Sequence, residues 1–410
     1  MVSNIKEKYV VVTPFFPSPN QWQGAYVLDQ VKAIMRHSDY DVIVYKTISL
    51  RDKEFDYEID SVKVHCIRPL LMPSYILNGL TGKIVAKQFV KKLRKDGLDL
   101  KDIAYIHCHT TNHAAFGFGV RQNNPNAKVI LQFHDPDPFT LRNGKFADKS
   151  WNLRFRAQKS INTINRVDLL LCISEHVKDA VLSFPNPRKN EVFEPIKEIL
   201  GRLNSFPYVK PKATYVLNNG VDLKMFKKLN VSKKSTDYRI GCIANFNDWK
   251  NHIMLVKAFK ILVEKGYDDM RLSLLGSGET RLQIEEFVHD NGLDEYVEWP
   301  KEVYHDYLPT YYNSLDLFVL PSRFEGFGCV YTEAYACGVP FICTEHQGAS
   351  ECVSDDEKSL WLVRDNDYKH LASLIERQYI EKNHQHLCKE FDIDILIPKF
   401  LEFLKEKFNG

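Results

Sequence analysis

Short apolar runs alternate with amphipathic stretches along the whole chain. The first run, residues 9–12, ends before Pro14, and a turn-rich stretch then leads into a helical spacing of apolar residues from Tyr26 to Met35. The later runs of the first half are residues 42–45, 103–106, 129–131 and 169–173. Strands that alternate with helices in this way predict a parallel sheet with helices on its faces.

The same alternation restarts after residues 184–212, a segment rich in Pro, Asn and Lys. The strand candidates of this second half are residues 238–243, 271–275, 297–299, 317–320 and 341–343. Two α/β halves of similar size predict two Rossmann-like domains that face a central cleft, and ligands of such sheets bind beyond the carboxyl ends of the strands. The apolar positions from Ile397 to Phe408 predict an amphipathic helix at the end of the chain.

Length and composition agree with this pattern. The chain has 410 residues, which is more than one compact core usually holds and suits two domains. With 44% hydrophobic and 26% charged residues it has a globular composition, which excludes a disordered or fibrous chain. The nine cysteines include no Cys-x-x-Cys pair, which favours reduced thiols over disulfides or a zinc site. Neither a signal-peptide pattern nor a run of ~20 apolar residues is present, so we expect a cytoplasmic protein.

The small net charge of +2 conceals two halves of opposite charge. Residues 1–215 contain 32 lysines and arginines against 21 aspartates and glutamates, whereas the remaining residues contain 23 against 32. A basic half indicates an anionic partner. Nucleic acid is a poor explanation, because no nucleic-acid recognition motif accompanies the charge.

The most specific stretch of the sequence is residues 321–340. Glu325 follows an apolar strand, two glycines then allow a tight turn, and a helix predicted to begin near Cys329 carries Glu333 in its second turn. Amides at a helix N-terminus can hold an anion or the polar edge of a ligand. Carboxylates can accept hydrogen bonds from the vicinal hydroxyls of a sugar or ribose. The alternative is an ordinary strand-to-helix connection with solvated glutamates.

This stretch resembles the Glu-x7-Glu signature of the retaining GT-B glycosyltransferases, the glycosyl-transferase group 1 family (family 4 type). The resemblance covers most of the chain. Residues 217–226 are similar to the family's entry to the second domain, and residues 243–259 to its phosphate-binding loop and helix. Residues 274–278 and 317–322 match two further strand ends. This ordered series is specific, whereas Gly276-x-Gly278 alone would be a weak signal.

The resemblance implies a domain organisation and a set of site residues. Residues 1–212 would form an acceptor-binding Rossmann-like domain, residues 213–385 a nucleotide-sugar-binding one, and residues 386–410 a helical segment that packs back towards the first domain. Glu333 would hold the ribose hydroxyls, and the donor sugar would be held by Glu325 and the backbone amides of Phe327, Gly328 and Cys329. Lys250 would pair with the diphosphate and stabilise the charge that grows there as the glycosidic bond breaks. Without the motif around it, Lys250 would be an ordinary solvated lysine at a helix start.

Two positions depart from the family's pattern. The family often pairs an Arg with the Lys of its phosphate loop, and Asn245 stands at that position, so the diphosphate would be held less strongly unless Arg323 compensates. The first loop of the family usually carries a Gly-Gly pair near the donor phosphates and the acceptor, and of this pair only Gly24 is present. These departures concern the strength of donor binding and not its location.

Histidines follow two strands of the first half. His107 and His109 share one strand face, which invites a metal hypothesis, but no carboxylate or cysteine cluster completes a ligand set. His134 resembles the family's cleft histidine near the donor sugar, and a buried histidine with satisfied hydrogen bonds is the alternative. The resemblance favours front-face attack, in which the acceptor hydroxyl passes its proton to the departing phosphate oxygen while His134 orients the sugar. It implies no metal, because Lys250 and the helix-end amides would act on the diphosphate in place of a divalent ion. It implies no cofactor either, since the nucleotide sugar is a substrate.

A basic amphipathic helix is predicted from Lys83 to Lys95 in the acceptor half. Six cations surround an apolar stripe made of Ile84, Val85, Phe89, Val90 and Leu93. Such a helix can lie on an anionic membrane surface, at about 1 kcal/mol per nearby cation. The alternative is a solvated helix that packs its apolar stripe on its own sheet.

The sequence therefore predicts a retaining, metal-independent glycosyltransferase that uses a nucleotide sugar. Its acceptor would be a glycan or a lipid-linked molecule, in surface polysaccharide or glycolipid biosynthesis, and the enzyme would be cytoplasmic or peripheral at the inner face of the membrane. One alternative is a GT-B transferase with a soluble small-molecule or protein acceptor. Another is a non-catalytic, glycan-binding partner subunit, against which the presence of Glu325, Glu333 and Lys250 argues.

Overall fold

The computed structural model describes residues 6–19, 22–70, 81–134, 158–182, 209–230, 236–301 and 303–408. The chain divides into two compact units, one made of Met1–Gly220 with Ile393–Gly410 and the other of Val221–Asp392. Most of the predicted linker, residues 184–208, lies outside the described residues.

The first unit is built on an eight-stranded sheet. Its strands are β1 (Lys8–Thr13), β2 (Asp41–Thr47), β3 (Tyr57–Ile59), β4 (Val62–Ile67), β5 (Ile103–His109), β6 (Lys128–Phe133), β7 (Leu169–Cys172) and β8 (Thr214–Val216). Their order across the sheet is β3-β4-β2-β1-β5-β6-β7-β8, and all neighbours are parallel except β3 and β4. The predicted parallel sheet is thus confirmed, with one short antiparallel edge strand added.

In the described part of this unit, four named helices precede the second unit in the chain. They are α1 (Ala25–His37), α2 (Gly82–Lys95), α3 (Ala114–Asn123) and α4 (Glu175–Leu182); residues 158–164 are also helical, and 3₁₀ turns cover Leu100–Asp102 and Thr111–His113. Helix α2 is the predicted basic helix, and it packs along α3.

The apolar stripe of α2 belongs to the core of the first unit. Val85, Phe89 and Leu93 are buried, and Gly119 of α3 lies so close to Ala86 that a Cβ atom there would come within 2.9 Å of the Ala86 Cβ. Ile84 is the exception in the stripe, with 49% of its surface exposed. The structure therefore shows the core-packing alternative for the stripe, and the cations of the helix remain on the outer face.

The second unit contains a six-stranded sheet that is parallel throughout. Its strands are β9 (Tyr238–Ile243), β10 (Met270–Leu275), β11 (Val297–Glu298), β12 (Leu317–Leu320), β13 (Phe341–Thr344) and β14 (Leu362–Val363), in the order β11-β10-β9-β12-β13-β14. The helices are α5 (His252–Glu264), α6 (Arg281–Asp290), α7 (Leu308–Tyr312), α8 (Cys329–Ala336), α9 (Lys358–Trp361) and α10 (Tyr368–Glu381), with 3₁₀ turns at His305–Tyr307 and Ala349–Cys352. The two parallel sheets confirm the predicted pair of Rossmann-like domains.

The last helix, α11 (Ile393–Phe408), returns to the first unit, as predicted. It packs on α1, with Ile397, Phe400 and Leu404 buried in the core of that unit. Asp394 accepts hydrogen bonds from Arg36 and His37 at the end of α1. Among the described residues, no helix has both the length and the apolar character that crossing a bilayer requires.

The units end at slightly different residues from those placed by the sequence analysis. The first unit continues to Gly220 rather than 212, because Thr214–Val216 forms β8 beside β7. The second unit continues to Asp392 rather than 385, where Asp392 bridges to Val221. Pairing between short strands decides both boundaries.

Candidate functional site

Two loops of the second unit meet at the carboxyl ends of the neighbouring strands β9 and β12. Lys250, in the loop after β9, forms an ion pair with Glu325, in the loop after β12. The backbone N–H of Arg323 donates to the carbonyl oxygen of Trp249 at 2.7 Å, which fastens one loop to the other. The adjacency of β9 and β12 therefore brings together two residues that are 75 positions apart in the sequence.

Glu325 is held on several sides. The Ser322 hydroxyl donates to Oε1 of Glu325 at 2.9 Å, and Lys250 contacts the same oxygen. The N–H of Gly348 donates to the backbone carbonyl of Glu325 at 3.2 Å, and the Gln347 amide donates to the carbonyl of Ser322 at 2.6 Å. Only 10% of the Glu325 side chain is exposed.

The backbone after Glu325 enters α8 through a left-handed residue. Gly328 has φ of +80°, and a Cβ atom there would lie 2.6 Å from the ring of Tyr331. That ring is buried, and its hydroxyl donates to the carbonyl of Leu320 at 2.7 Å. The Phe327 side chain is also buried, and α8 begins at Cys329 as predicted. The predicted role of residues 327–329 rests on their backbone amides, and burial of the Phe327 ring is compatible with it.

Glu333 lies in the second turn of α8 and has its own partner. The Tyr312 hydroxyl donates to Oε2 of Glu333 at 2.8 Å. Burial, together with the negative charge of Glu333, raises the pKa of Tyr312 well above its ordinary value, so the phenol stays protonated and keeps donating. Glu325 and Glu333 are thus fixed by separate networks.

The loop after β9 is closely covered by the loop after β10. A Cβ atom on Gly276 would lie 2.0 Å from the carbonyl oxygen of Ala244, and one on Gly278 would lie 2.2 Å from that of Phe246. Both glycines have φ near +150°, so only glycine allows this approach without strain. Asn245 lies between the two contacted residues and is exposed. Gly276 and Gly278, which alone are a weak sequence signal, therefore allow the loop after β10 to pack closely on the predicted phosphate loop.

Helix α5 begins two residues after Lys250. Asn251 caps the helix in the left-handed region, with φ of +53°, and is buried. The backbone N–H of Lys250 bonds to the Asn247 side chain at 3.2 Å. Lys250 therefore stands at the positive end of a 13-residue helix, where the helix dipole also favours an anion.

In the first unit, His134 ends β6 and contacts an imidazole of the neighbouring strand. His109 Nδ1 and His134 Nε2 are 2.7 Å apart, and their rings stack at 4.9 Å. The His107 ring stacks on the His109 ring, with the ring centres 4.7 Å apart. Its Nδ1 forms a hydrogen bond with the Tyr9 hydroxyl at 2.9 Å. Among the described residues no group of three His, Cys, Asp or Glu side chains could hold a metal ion.

These imidazoles are uncharged at neutral pH. Burial lowers the pKa of His107 to about 3 and that of His134 to about 4. The pKa of His109 is lowered well below its ordinary value by burial and by the neighbouring His107 and His134. A neutral ring carries one N–H and one acceptor nitrogen, so the cluster can orient a ligand but is poorly suited to take up a proton.

Gly24 lies near this cluster. It begins α1 with φ of +89°, and a Cβ atom there would come within 2.5 Å of the backbone of Phe15. The rings of Phe15 and Tyr26 lie 6.1 and 5.2 Å from that of His134. Within the first unit, the structure thus brings the Gly24 loop and His134 together around Phe15.

Sequence reasoning did not assign roles to several residues that support these two sites. They are Ser322, Gln347 and Tyr312 in the second unit, and Tyr9 and His109 as hydrogen-bonding groups in the first. Ser322 could have been found from its place at the end of an apolar strand. Tyr312 could not, because it lies 21 positions before Glu333 and its hydroxyl has no local signature.

Comparison with known proteins agrees with the geometry. The family model "Glycosyltransferase Family 4" matches residues 23–195, and "Glycosyl transferases group 1" matches residues 225–392. A Campylobacter jejuni relative, "N-acetylgalactosamine-N,N'-diacetylbacillosaminyl-diphospho-undecaprenol 4-alpha-N-acetylgalactosaminyltransferase", is 24% identical over 83% of this chain and 84% of its own. The "Capsular polysaccharide biosynthesis glycosyltransferase CapM" of Staphylococcus aureus is 30% identical over 51% of each chain.

A solved structure shows the same fold at low sequence identity. HepE from Anabaena, in complex with UDP, is 16% identical and superimposes with a TM-score of 0.67 over 97% of this chain and all of its own. Both halves of the chain match consecutive family models, and both contain the parallel sheet that the fold requires. The chain therefore belongs to the group 1 glycosyltransferases and has the GT-B fold.

Proposed function

We propose that this glycosyltransferase uses a nucleotide sugar and transfers the sugar with retention of configuration to a lipid-linked or glycan acceptor in surface polysaccharide or glycolipid assembly. The observation that carries the proposal is the pairing of Lys250 with Glu325 at the carboxyl ends of β9 and β12. The diphosphate of a nucleotide sugar needs a cation, and the adjoining sugar hydroxyls need a carboxylate that accepts their hydrogen bonds. Lys250 and Glu325 supply the two groups side by side.

The donor would lie across the two loops of the second unit. Its diphosphate would bind Lys250 at the N-terminus of α5, where the helix dipole and the ammonium charge together stabilise the negative charge of the leaving group. The sugar would bind the Glu325 carboxylate and the amides of residues 327–329, and Glu333 would hold the ribose. His134 would orient the sugar. Asn245 adds a hydrogen-bonding amide there but no charge.

We expect the reaction to be metal-independent. Lys250 would neutralise part of the diphosphate charge that a divalent cation neutralises in other transferases. Binding of the diphosphate would draw Lys250 partly away from Glu325, which Ser322 continues to hold. We expect turnover to persist in excess EDTA; a rate that falls in EDTA and returns with Mg²⁺ would contradict this part of the proposal.

The acceptor class is supported by the relatives and by the charge of the first unit. The Campylobacter jejuni relative is named for a diphospho-undecaprenol acceptor, and the Staphylococcus aureus relative for capsular polysaccharide biosynthesis. The excess of cations in residues 1–215 suits a diphosphate-bearing or acidic acceptor.

The test of the donor site is a variant series assayed with a panel of nucleotide sugars. Donor hydrolysis and transfer should fall about 10²-fold or more in Lys250→Met and Glu325→Gln, because each removes an interaction with charge that develops in the transition state. The matched controls are Lys260→Met and Glu264→Gln, an exposed ion pair farther along α5. Full turnover in both site variants would refute the donor site, and a complete absence of donor hydrolysis would favour a glycan-binding subunit. Retention is read from the anomeric configuration of the product by NMR.

Peripheral membrane binding would depend on the cations of α2 rather than on its apolar stripe. Lys83, Lys87, Lys91 and Lys95 are exposed, whereas Lys92 bonds to Asp96 at 2.7 Å. We expect binding to phosphatidylglycerol vesicles at low salt, at about 1 kcal/mol per cation, and its loss when these four lysines are changed to Gln. Replacement of Lys257, Lys260, Lys265 and Lys369 in the second unit is the control with equal charge change. Binding that survives the α2 changes would exclude this helix as the membrane contact.

A further inference from the structure

The His109–His134 contact has a chemical consequence for the ring that faces the donor sugar in the proposed function. The two nitrogens, His109 Nδ1 and His134 Nε2, are 2.7 Å apart, so one of them carries the hydrogen and the other accepts it. Both rings are neutral at pH 7, because burial lowers the pKa of each. The position of that single hydrogen therefore decides which nitrogen of His134 is a donor.

The two possible arrangements differ in what they leave buried. His109 Nε2 and His134 Nδ1 have no hydrogen-bond partner among the described residues. If His134 donated, the unpartnered N–H would be on His109, which is fully buried on β5. If His109 donates, its unpartnered nitrogen is an acceptor, and the unpartnered N–H is Nδ1 of His134. That atom is buried too, but it belongs to a partly exposed residue at the carboxyl end of β6. A buried N–H without an acceptor is the costlier defect, so its place is where a ligand can satisfy it.

The surroundings hold the His109 ring in one orientation. It lies between the His107 and His134 rings, with His107 in turn tied to the Tyr9 hydroxyl. Thr110, the next residue, has φ of +73° and ψ of 153°, a conformation that a β-branched residue adopts only under constraint. Its N–H bonds to the carbonyl of Gln132 and its hydroxyl to His113, which together impose that constraint.

We propose that His109 is a positioning residue: by donating from Nδ1 to His134 Nε2, it fixes His134 as the tautomer that presents Nδ1–H to an oxygen of the donor sugar. This rests on the proposed function, in which His134 orients that sugar. His109 itself touches no substrate, and its effect passes through one hydrogen bond.

The chain offers a matched pair of variants for the test. His109→Phe keeps an aromatic ring in the stack but removes the N–H that donates to His134. His109→Asn restores an N–H donor, on a side-chain amide near the position of Nδ1. His107→Phe is the control, because His107 lies on the same strand face and in the same stack but bonds to Tyr9 rather than to His134. Each protein is assayed for kcat and for the KM of the donor, with thermal unfolding measured alongside.

We expect His109→Phe to lower kcat about 10²-fold with little change in donor KM, as for the loss of one oriented transition-state hydrogen bond. His109→Asn should recover much of that loss, and His107→Phe should cost stability but leave kcat nearly unchanged. Equal losses of kcat in His107→Phe and His109→Phe, or no recovery in a folded His109→Asn, would overturn the positioning role.

NMR of the ¹⁵N-histidine-labelled protein reads the tautomer without activity. The His134 signals are assigned by their loss in His134→Ala, and we expect hydrogen on Nδ1 in the unmodified protein. Hydrogen on Nε2 would overturn the proposal even if neither His109 variant folds. Full turnover in His134→Ala would refute the role of His134 in the proposed function and this proposal with it. Lost turnover in His134→Ala with full turnover in His109→Phe would overturn the positioning role alone.

Discussion

Acid should unfold the first unit through its buried histidines. His107 and His113 have pKa values lowered to about 3 by burial, and the pKa of His109 is lower than its ordinary value for the same reason. In the unfolded chain each would titrate near about 6.5. Below that pH the unfolded state binds more protons than the folded state, so stability is complete above pH 6.5 and is lost as the pH falls towards 3.

The size of the effect follows from the number of rings. Each histidine that is neutral when folded and protonated when unfolded lowers the free energy of unfolding by about 1.4 kcal/mol per pH unit. The three rings together give a slope of about 4 kcal/mol per pH unit between pH 6 and 4. Since a domain is stable by about 5–15 kcal/mol, a loss of about 4 kcal/mol per pH unit should unfold the first unit about one to four pH units below the unfolded-state pKa, that is, between about pH 5 and pH 3.

Urea unfolding followed by circular dichroism at several pH values between 7 and 4.5 measures this slope. His107→Phe should reduce it by about 1.4 kcal/mol per pH unit, since one ring no longer titrates. His289→Gln is the control, because it replaces a histidine whose side chain is 80% exposed. Identical slopes for the unmodified protein and His107→Phe would refute the reasoning that burial keeps these rings neutral.

Three further predictions concern the second unit. Lys250→Met and Glu325→Gln should each lower the free energy of unfolding by about 1–3 kcal/mol, because each single change leaves its partner unpaired. The double variant should lose less than the sum of the two; additive losses in urea unfolding would show that the two residues are not coupled. Gly328→Ala should destabilise by more than the about 1–2 kcal/mol expected for an alanine in the left-handed region, because the added Cβ would also collide with the Tyr331 ring. Gly266→Ala is the control: Gly266 has φ of +87° and open space around it, so this change should cost only the backbone strain. Tyr312→Phe should raise the donor KM by loosening Glu333, whereas Tyr311→Phe, whose hydroxyl bonds to Ser273, should not; equal KM values would exclude the Tyr312 contact from donor binding.

Long apolar runs made most of the fold predictable. Strands such as Val10–Val12 of β1 and Leu317–Leu320 of β12 are buried on both faces, so each reads as an uninterrupted apolar run between turn signals. Val62–Ile67 and Thr214–Val216 gave no such signal, since the first alternates buried and exposed residues and the second is only half buried. These two strands form because neighbouring strands offer unpaired backbone groups, which a sequence pattern does not record.

For the candidate sites, the sequence alone determined which residue types stand after which strands. Glu325, Lys250 and His134 each follow a recognisable apolar run, and Glu333 lies in the second turn of the helix after Glu325. The sequence could not determine contacts between residues far apart in the chain. Strand order pairs Lys250 with Glu325 and sets His109 against His134, and packing of α7 on α8 places Tyr312 against Glu333. The apolar stripe of α2 shows the same limit, since a helical period predicts an apolar face but only packing on α3 decides that this face is core. The sequence thus determined the local elements and the chemistry they carry, and the tertiary structure decided the partners, because hydrogen bonds and burial depend on distances that local sequence does not specify.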